Sequence, residues 1–322
     1  ALGDAGAEVA VFSADGETDP AVATALAELG VEVFAPKLGL ESDPQAGAEG
    51  AVAEVDAANA AGILDWGPEL LIDDGSHLVR LAHTERPGAL EALRAASEET
   101  TSGVRPLIEM AAEGALRIPV IAVNDARTKS EFDNRIGTGQ SCVFAIADLL
   151  DSDGRPGRGW GRDDDRGIFG TSWVVVGYGP VGVGVARFAA ALGARITVVE
   201  RDPVRALQAL HDGFEASTLA AALPLADVAV SATGVWHTLS GDDLALLQPG
   251  AAVAVAGGID DELALDELRA RGWEIDEHGP HLATWRAPGA TGGPLVLADG
   301  AGVNYTAGEG NPSVVMDLSF AT

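Results

Sequence analysis

Short apolar runs alternate along the chain with segments in which apolar residues return every three or four positions. In the first half, the runs predict β-strands at residues 7–12, 31–35, 70–75 and 118–124. The segments with helical periodicity lie at residues 19–30, 46–61, 88–99 and 105–114. Strands that alternate with helices predict a parallel sheet, which binds ligands beyond the carboxyl ends of its strands.

A second strand–helix series follows a break in this pattern. Residues 129–150 have helical periodicity, whereas residues 151–170 are rich in Gly, Arg and Asp. Beyond the break, strands are predicted at 173–177, 196–200, 227–232, 251–256 and 294–298, and helices at 182–192, from Pro203 onward and at 260–271. We therefore predict an α/β fold with two doubly wound parallel-sheet (Rossmann-like) domains.

The predicted domains meet in the polar segment. The first comprises residues 1–150 with a returning segment, 299–322, and the second comprises residues 151–298. Because residues 151–170 contain few apolar positions, this segment is predicted to be an exposed hinge between the domains.

The first strand and helix of the second series are joined by a Gly-x-Gly-x-x-Gly turn. Its glycines are Gly177, Gly179 and Gly182, with Pro180 and Val181 between the last two. In such a turn the first glycine permits a tight bend and the second lets a pyrophosphate approach the backbone. The third lets the helix pack closely on the strand. The turn therefore predicts a dinucleotide-binding site.

An acidic residue, Glu200, closes the next predicted strand, about 20 residues beyond the turn. A carboxylate at this place accepts hydrogen bonds from a ribose 2′-hydroxyl and repels a 2′-phosphate. The predicted cofactor is therefore NAD rather than NADP. Arg201 and Arg205 lie nearby and would tolerate a phosphate, and Arg205 is expected to line the cofactor site.

The composition of the chain bears on its partners, its location and its metal and disulfide content. The chain has 322 residues, and its 49 acidic and 20 basic residues give a net charge of −29, which disfavours nucleic acid and anionic lipid as partners. No apolar run is long enough to span a membrane, and no secretion leader is visible. Cys142 is the single cysteine. We expect a cytoplasmic protein without a disulfide, and the histidines show no spacing that predicts a metal site.

Polar clusters follow strands of the predicted first domain. They are Asp73-Asp74, residues 97–102 and Asn124-Asp125. Just beyond the last cluster, Lys129 and Asp133 are four residues apart, which places them on one face of a helix. The commoner interpretation is a solvated ion pair on the surface. The alternative is a desolvated lysine beside a carboxylate, able to take a proton from a hydroxyl group.

These clusters belong to a set of segments with a recognisable order. The segments are residues 72–87, 97–104, 123–134, 174–184, 199–209 and 303–320. The most specific are Ser97-Glu-Glu-Thr-Thr and Thr128-Lys-Ser-Glu-Phe-Asp-Asn. In order and content the chain resembles S-adenosyl-L-homocysteine hydrolase over nearly its whole length.

The resemblance implies an NAD-dependent hydrolase of a nucleoside thioether, which reversibly converts S-adenosylhomocysteine to adenosine and homocysteine. In that family NAD oxidises the ribose 3′-hydroxyl, which acidifies the 4′-proton. Homocysteine is then eliminated, water adds and the ketone is reduced. The first domain would bind the nucleoside substrate and the second NAD, and the family implies a homo-oligomer.

The resemblance also assigns roles to residues. Among the catalytic residues, Asp74 would be the acid or base near the 4′-carbon, and Glu99 would hold the ribose hydroxyls. Lys129 would help take the 3′-hydroxyl proton, and Asp133 and Asn134 would orient Lys129. The cofactor would also be contacted by Thr100, Thr101, Ser102 and Asn304.

The chain departs from the family pattern at several positions. The family has histidines where this chain has Gly258 and Asn311, and a cysteine where it has Thr138. Pro180 and Val183 replace an acid and a lysine in the phosphate turn. The family's first strand, which carries a histidine and residues that grip adenine, would precede Ala1, and its C-terminal tail would follow Thr322.

Two alternatives to the hydrolase therefore stay open. One is a diverged relative that oxidises the 3′-hydroxyl of another nucleoside for epimerisation, elimination or oxidation. The other is a catalytically silent module that binds NAD and a nucleoside. The nucleobase and the 5′ substituent stay open as well.

Overall fold

The computed structural model describes residues 2–14, 18–36, 48–152, 167–258 and 261–322. The chain divides into two compact units, Ala1–Asn124 and Asp125–Thr322. Each unit is an assembly of strands and helices with its own core, so the two are described in turn. Residues 153–166 of the predicted hinge lie outside the described residues.

The first unit contains parallel strands in two sheets. The strands are β1 (Ala10–Phe12), β2 (Glu32–Phe34), β3 (Leu70–Asp73), β4 (Ala95–Glu98) and β5 (Val120–Ala122). β1 pairs with β2, and β4 lies between β3 and β5. In the register Asp73 lies beside Glu98, so the polar residues that follow β3 and β4 begin at the same edge of the sheet.

Helices of the first unit cover these strands. They are α1 (Pro20–Glu28), α2 (Ala48–Asp65), α3 (His77–Thr84) and α4 (Thr101–Ala112). α1 begins as the sequence predicts, because the Asp19 carboxylate accepts a hydrogen bond from the backbone N–H of Ala21 at 2.7 Å. The core includes Leu64, Leu71 and Val79, which come from α2, β3 and α3.

The prediction of a helix over residues 88–99 is wrong. A short 3₁₀ helix, Pro87–Glu91, is followed by β4, the middle strand of its sheet. Ala96 is 4% exposed and pairs with Val120 of β5. The alanines favour a helix locally, but pairing with a strand on each side overrides that preference.

The second unit is built on an eight-stranded sheet. Its strands are β6 (Ser172–Val176), β7 (Arg195–Val199), β8 (Glu215–Ala216), β9 (Val228–Ser231), β10 (Ala252–Val255), β11 (Glu274–Gly279), β12 (Leu282–Arg286) and β13 (Leu295–Leu297). They lie in the order β11-β12-β13-β10-β9-β6-β7-β8, and only the β11–β12 and β12–β13 pairs are antiparallel. The β11–β12 hairpin has no counterpart among the strands predicted from the sequence.

Helices of the second unit begin with an irregular one. They are α5 (Arg127–Lys129), α6 (Gly139–Ser152), α7 (Pro180–Ala191), α8 (Pro203–His211), α9 (Leu219–Ala222), α10 (Gly241–Leu244), α11 (Leu265–Ala270), α12 (Val303–Thr306) and α13 (Ser313–Phe320). A π-helical segment, Ser130–Thr138, joins α5 to α6. The predicted helix over 129–150 is thus present, and the helix predicted over 260–271 is shorter at its start.

Both faces of the second sheet are buried. Trp173 and Val175 of β6 lie in one apolar cluster, whereas Val174 and Val176 lie in another. Burial on both faces explains why β6 is an uninterrupted apolar run. The α/β class with a Rossmann-like parallel sheet is confirmed.

Candidate functional site

The glycine turn follows β6, and each of its glycines is required for a different reason. Gly177 has φ = 93°, and a Cβ there would lie 2.9 Å from the carbonyl oxygen of Ala232. A Cβ at Gly182 would lie 2.0 Å from the carbonyl oxygen of Gly177. At Gly179 the nearest atom is Nη1 of Arg205, 3.7 Å away, so this backbone is open to a ligand. The turn leads directly into the N-terminus of α7, where backbone N–H groups favour phosphate.

The turn is tied to the acid that follows β7. One oxygen of Glu200 accepts a hydrogen bond from the backbone N–H of Tyr178 at 2.7 Å. Its other oxygen accepts from the N–H groups of Arg201 and Asp202, at 2.7 and 2.9 Å. Glu200 is therefore fixed beside the turn, where an NAD site needs a carboxylate.

A second acid in this region, Glu262, is one that the sequence analysis missed. It is 0% exposed and accepts hydrogen bonds from Oγ of Ser231, from N–H and Oγ1 of Thr233, and from N–H of Gly234. Burial raises the pKa of this carboxyl. The braced loop follows β9, and Thr233 packs on Gly177. Since β6 and β9 are neighbours at the point where the strand order reverses, Glu262 supports the expected ligand crevice.

Lys129 and Asp133 form a buried pair rather than a surface one. Their side chains are 3% and 4% exposed, and Nζ lies 3.4 Å from Oδ2 of Asp133. Nζ also donates to Oδ1 of Asn134 at 2.6 Å. The interpretation as a solvated surface pair is therefore wrong. π-Helical turns are rare and concentrate at functional sites, and this one carries both Asp133 and Asn134.

The C-terminal segment contacts this cluster. Nδ2 of Asn311 donates to Oδ1 of Asp133 at 2.5 Å, and Oγ of Ser319 donates to Oδ2 at 3.1 Å. Nδ2 also contacts Oγ1 of Thr138 at 3.0 Å. Asn311 and Thr138, two of the departures from the family pattern, thus lie in contact with each other.

Asn304, on α12, has the feature expected of a ligand-binding residue. It is 7% exposed, and its buried Oδ1 has no hydrogen-bond partner within the described residues. A buried amide oxygen without a partner is costly, so a donor from a bound molecule would relieve it. The open backbone at Gly179 and the carboxylate of Glu200 belong to the same unit, and this combination fits NAD.

The helix that carries Lys129 and continues into α6 is in direct backbone contact with α7, which follows the glycine turn. A Cβ at Gly184 of α7 would lie 2.1 Å from the carbonyl oxygen of Arg135, and one at Gly139 of α6 would lie 2.6 Å from Cα of Gly184. The helix of Lys129 is therefore packed against the helix of the glycine turn.

In the first unit, the predicted residues follow β3 and β4. Glu98, another acid that the sequence analysis missed, is 0% exposed and accepts from N–H of Gly75 at 2.9 Å, of Ser76 at 2.7 Å and of Thr100 at 3.0 Å. Burial raises its pKa to about 7. Asp74 and Glu99 adjoin these bonded positions, so one carboxylate braces both loops.

The remaining predicted residues of this unit begin α4. Thr101 is its first residue and donates from Oγ1 to Oδ1 of Asn124 at 2.8 Å, and Ser102 lies in the same first turn. The structure thus brings Asp74, Glu99 and residues 100–102 together in the first unit. It brings Lys129, Asp133 and Asn134 together in the second, with the glycine turn on the adjoining helix.

Comparison with known proteins shows to which family this dinucleotide-binding chain belongs. Residues 158–310 match the family model for the S-adenosyl-L-homocysteine hydrolase NAD binding domain. An adenosylhomocysteinase of Thermotoga maritima is 38% identical over 99% of this chain and 73% of its own length. The chain belongs to the S-adenosyl-L-homocysteine hydrolase family.

Other relatives carry two different names. An S-inosyl-L-homocysteine hydrolase of Methanopyrus kandleri is 38% identical, and an adenosylhomocysteinase of Thermococcus kodakarensis is 37% identical. Each alignment covers 98% of this chain and 69% of the relative. The resemblance and the NAD cofactor predicted from the sequence are confirmed, because the matched NAD-binding domain contains the turn, Glu200 and Asn304.

Two further findings concern metal ions and membrane-spanning helices. Among the residues that the structure describes, no group of three or more His, Cys, Asp or Glu is arranged to hold a metal ion. No helix within the described ranges is long and apolar enough to cross a membrane.

Proposed function

We propose that this protein cleaves and forms the thioether bond of a nucleoside such as S-adenosylhomocysteine, through transient oxidation of the ribose 3′-hydroxyl. The observation that carries the proposal is the buried lysine. Lys129 is held by Asn134 at 2.6 Å and by Asp133 at 3.4 Å, on the helix that packs against α7, the helix that follows the glycine turn. Family membership supports the same activity.

Lys129 would accept the 3′-hydroxyl proton while bound NAD supplies the hydride acceptor. The residue type is informative, because only Lys37 and Lys129 are lysines among the 20 basic residues. A guanidinium does not release its proton in proteins, whereas an ammonium does so readily when desolvated. Asp133 and Asn134 would orient Nζ toward the hydroxyl group.

Residues of the first unit would act on the rest of the ribose. Asp74 would move the 4′-proton, which becomes acidic once the neighbouring carbon is a ketone, and Glu99 would hold the ribose hydroxyls. Thr100, Thr101 and Ser102 would serve the cofactor. Glu98 supports these roles because it fixes the backbone just after Asp74 in one loop and just after Glu99 in the other.

The test is a single-turnover measurement of NADH absorbance on adding adenosine, inosine or their homocysteine thioethers. Lys129→Met should abolish the signal while NAD stays bound. Lys129→Arg is the matched control for charge, and it should behave in the same way because arginine cannot accept the proton. Asp74→Asn should still form NADH, but exchange of the 4′-proton with solvent should slow.

The alternatives predict other outcomes of the same experiment. The altered contact at Asn311 favours the diverged relative as second candidate, and reduction with 4′-exchange but without thioether cleavage would select it. A protein that never reduces NAD with any of these nucleosides would be the silent module. Equal rates with adenosine and inosine thioethers would show that the nucleobase is not discriminated.

Assembly and location complete the proposal. We infer a homo-oligomer, which sedimentation velocity would detect as a species larger than one chain. We propose a reducing, cytoplasmic location, which agrees with a chain whose single cysteine cannot form an internal disulfide. The thiol of Cys142 is buried, and its pKa is raised to about 12 by that burial. A thiol in this state is not available for disulfide formation.

A further inference from the structure

The Asp133 carboxylate is held from two directions. On its own helix, Oδ2 faces Nζ of Lys129 at 3.4 Å. From the C-terminal segment, Oδ1 accepts from Nδ2 of Asn311 at 2.5 Å and Oδ2 accepts from Oγ of Ser319 at 3.1 Å. Because both oxygens have donors outside the helix, rotation of the carboxylate away from Lys129 would break two hydrogen bonds.

Asn311 is itself fixed. Its Nδ2 contacts Oγ1 of Thr138 at 3.0 Å, and its Oδ1 accepts from Oγ of Ser141 at 2.9 Å. Gly137 leaves room for the amide, since a Cβ at that position would lie 3.0 Å from Cγ and Nδ2 of Asn311. The donor at Ser141 and the acceptor at Asp133 assign the two amide atoms, so an N–H group faces the carboxylate.

We propose that Asn311 is a positioning residue, which holds Asp133 in the orientation that pairs it with Lys129. This inference rests on the proposed function. The amide does not ionise, whereas the histidine expected at 311 from the family pattern titrates near neutral pH. In this chain the hold on Asp133 is therefore independent of pH over the range in which an imidazole would change its charge.

Charged residues also lie on the π-helical segment and on the helices packed against it. On the π-helical segment, Arg135 pairs with Glu131. Asp317 is the acidic residue of α13. Lys129 is a charged group in direct contact with Asp133.

The first experiment compares variants in the NADH single-turnover assay. Asn311→Ala should lower the rate of NADH formation about 10- to 100-fold, the loss expected for a hydrogen bond to a charged group. Asn311→His should recover most of the rate because the imidazole can donate an N–H. The control is Val314→Ala on α13, whose side chain is 78% exposed, and it should leave the rate unchanged.

A pH profile separates positioning from a loss of stability. Asn311→Asp keeps the shape of the side chain but sets a second carboxylate against Asp133. Relative to the unmodified protein at the same pH, the rate should be low at pH 8, as in Asn311→Ala, and should recover below roughly pH 6, where two facing carboxylates share a proton. A variant that is merely unstable would not regain activity on acidification.

A second measurement does not depend on activity. Since the chain has two lysines, protein labelled with ¹³C at lysine Cε gives two signals, and Lys129→Met assigns them. Asn311→Ala should move the Lys129 signal, with Lys37 as internal reference and Val314→Ala as control. Failure of the unmodified protein to reduce NAD would overturn the proposed function alone. An unmoved Lys129 signal, or unchanged NADH formation in Asn311→Ala, would overturn the positioning role.

Discussion

Glu98 and Glu262 show how much depends on single buried carboxylates in this protein. Glu98 is the last residue of β4 and accepts hydrogen bonds from the loop after β3, and Glu262 accepts hydrogen bonds from the loop after β9. Loops at strand ends carry the functional residues of α/β proteins but lack a ladder of their own. In this protein a buried carboxylate accepts hydrogen bonds from the N–H groups of the loop and so orders the loop backbone.

Glu98 should make stability depend on pH. Its pKa is raised by burial from 4.5 to about 7, so the folded protein binds more protons than the unfolded chain between these values. Stability therefore decreases as pH rises through this window, by at most about 1.4 kcal/mol per pH unit. Glu98→Gln should make this decrease smaller by the share that Glu98 contributes, as measured by thermal unfolding from pH 4.5 to 8, while the buried Glu262, whose pKa is also raised, continues to contribute.

The control for that experiment is Glu109→Gln. Glu109 lies on α4 with 61% of its side chain exposed, so its replacement should leave the pH dependence as in the unmodified protein. Parallel unfolding curves for Glu98→Gln and the unmodified protein would show that Glu98 does not titrate in this window.

Single site residues could be predicted from the sequence where their spacing along the chain identifies them. Glu200 follows the glycine turn at a characteristic distance, and Lys129 and Asp133 share a helix face. Glu98 and Glu262 could not be found in this way, because their roles depend on hydrogen bonds from residues distant in sequence: Ser76 lies 22 positions from Glu98, and Thr233 lies 29 positions from Glu262. In sequence each is one acid among 49.

Among the elements, the contact between α6 and α7 depends on two glycines. The absence of side chains at Gly139 and Gly184 lets the two backbones touch near the carbonyl of Arg135. The π-helical segment just before α6 bonds residues five apart, and Asn134, five residues after Lys129, accepts a hydrogen bond from Nζ of Lys129.

Gly184→Ala should destabilise the protein strongly. The added Cβ would lie 2.1 Å from the carbonyl oxygen of Arg135, so the two helices would have to separate. We expect a loss of roughly 1–3 kcal/mol or more in urea unfolding. The matched control is Gly88→Ala, where no atom lies within 4 Å, and it should change stability by less than about 1 kcal/mol. Equal effects of the two substitutions would contradict this account of the contact.

Prediction of the elements was good where periodicity and caps agree. Asp202 accepts from the N–H of Val204 at 2.8 Å and starts α8 at Pro203, as the sequence indicates. β4 was mistaken for a helix because its alanines carry no β signal, and only pairing with β3 and β5 makes it a strand. The π-helical segment has no sequence signal that differs from an α-helix.

For the whole molecule, the net charge of −29 should make stability depend on salt. Self-repulsion opposes the compact state, and its range shrinks from about 30 Å at 0.01 M salt to about 3 Å at 1 M. The unfolding temperature should therefore rise with NaCl over this range. KCl at the same ionic strength should give the same rise, because screening depends on ionic strength, and a flat response to both salts would show that the acidic residues are compensated locally.

The eight-stranded sheet has two edges, and neither is open to a further strand. At one end β8 has two residues, Glu215 and Ala216. At the other end β11 presents acidic side chains, with Glu274 and Glu277 exposed and Asp276 paired with Arg286. Short and charged edges resist the addition of strands from other chains. Copies of this protein should therefore not join into a continuous intermolecular sheet, and any assembly should use helices and loops.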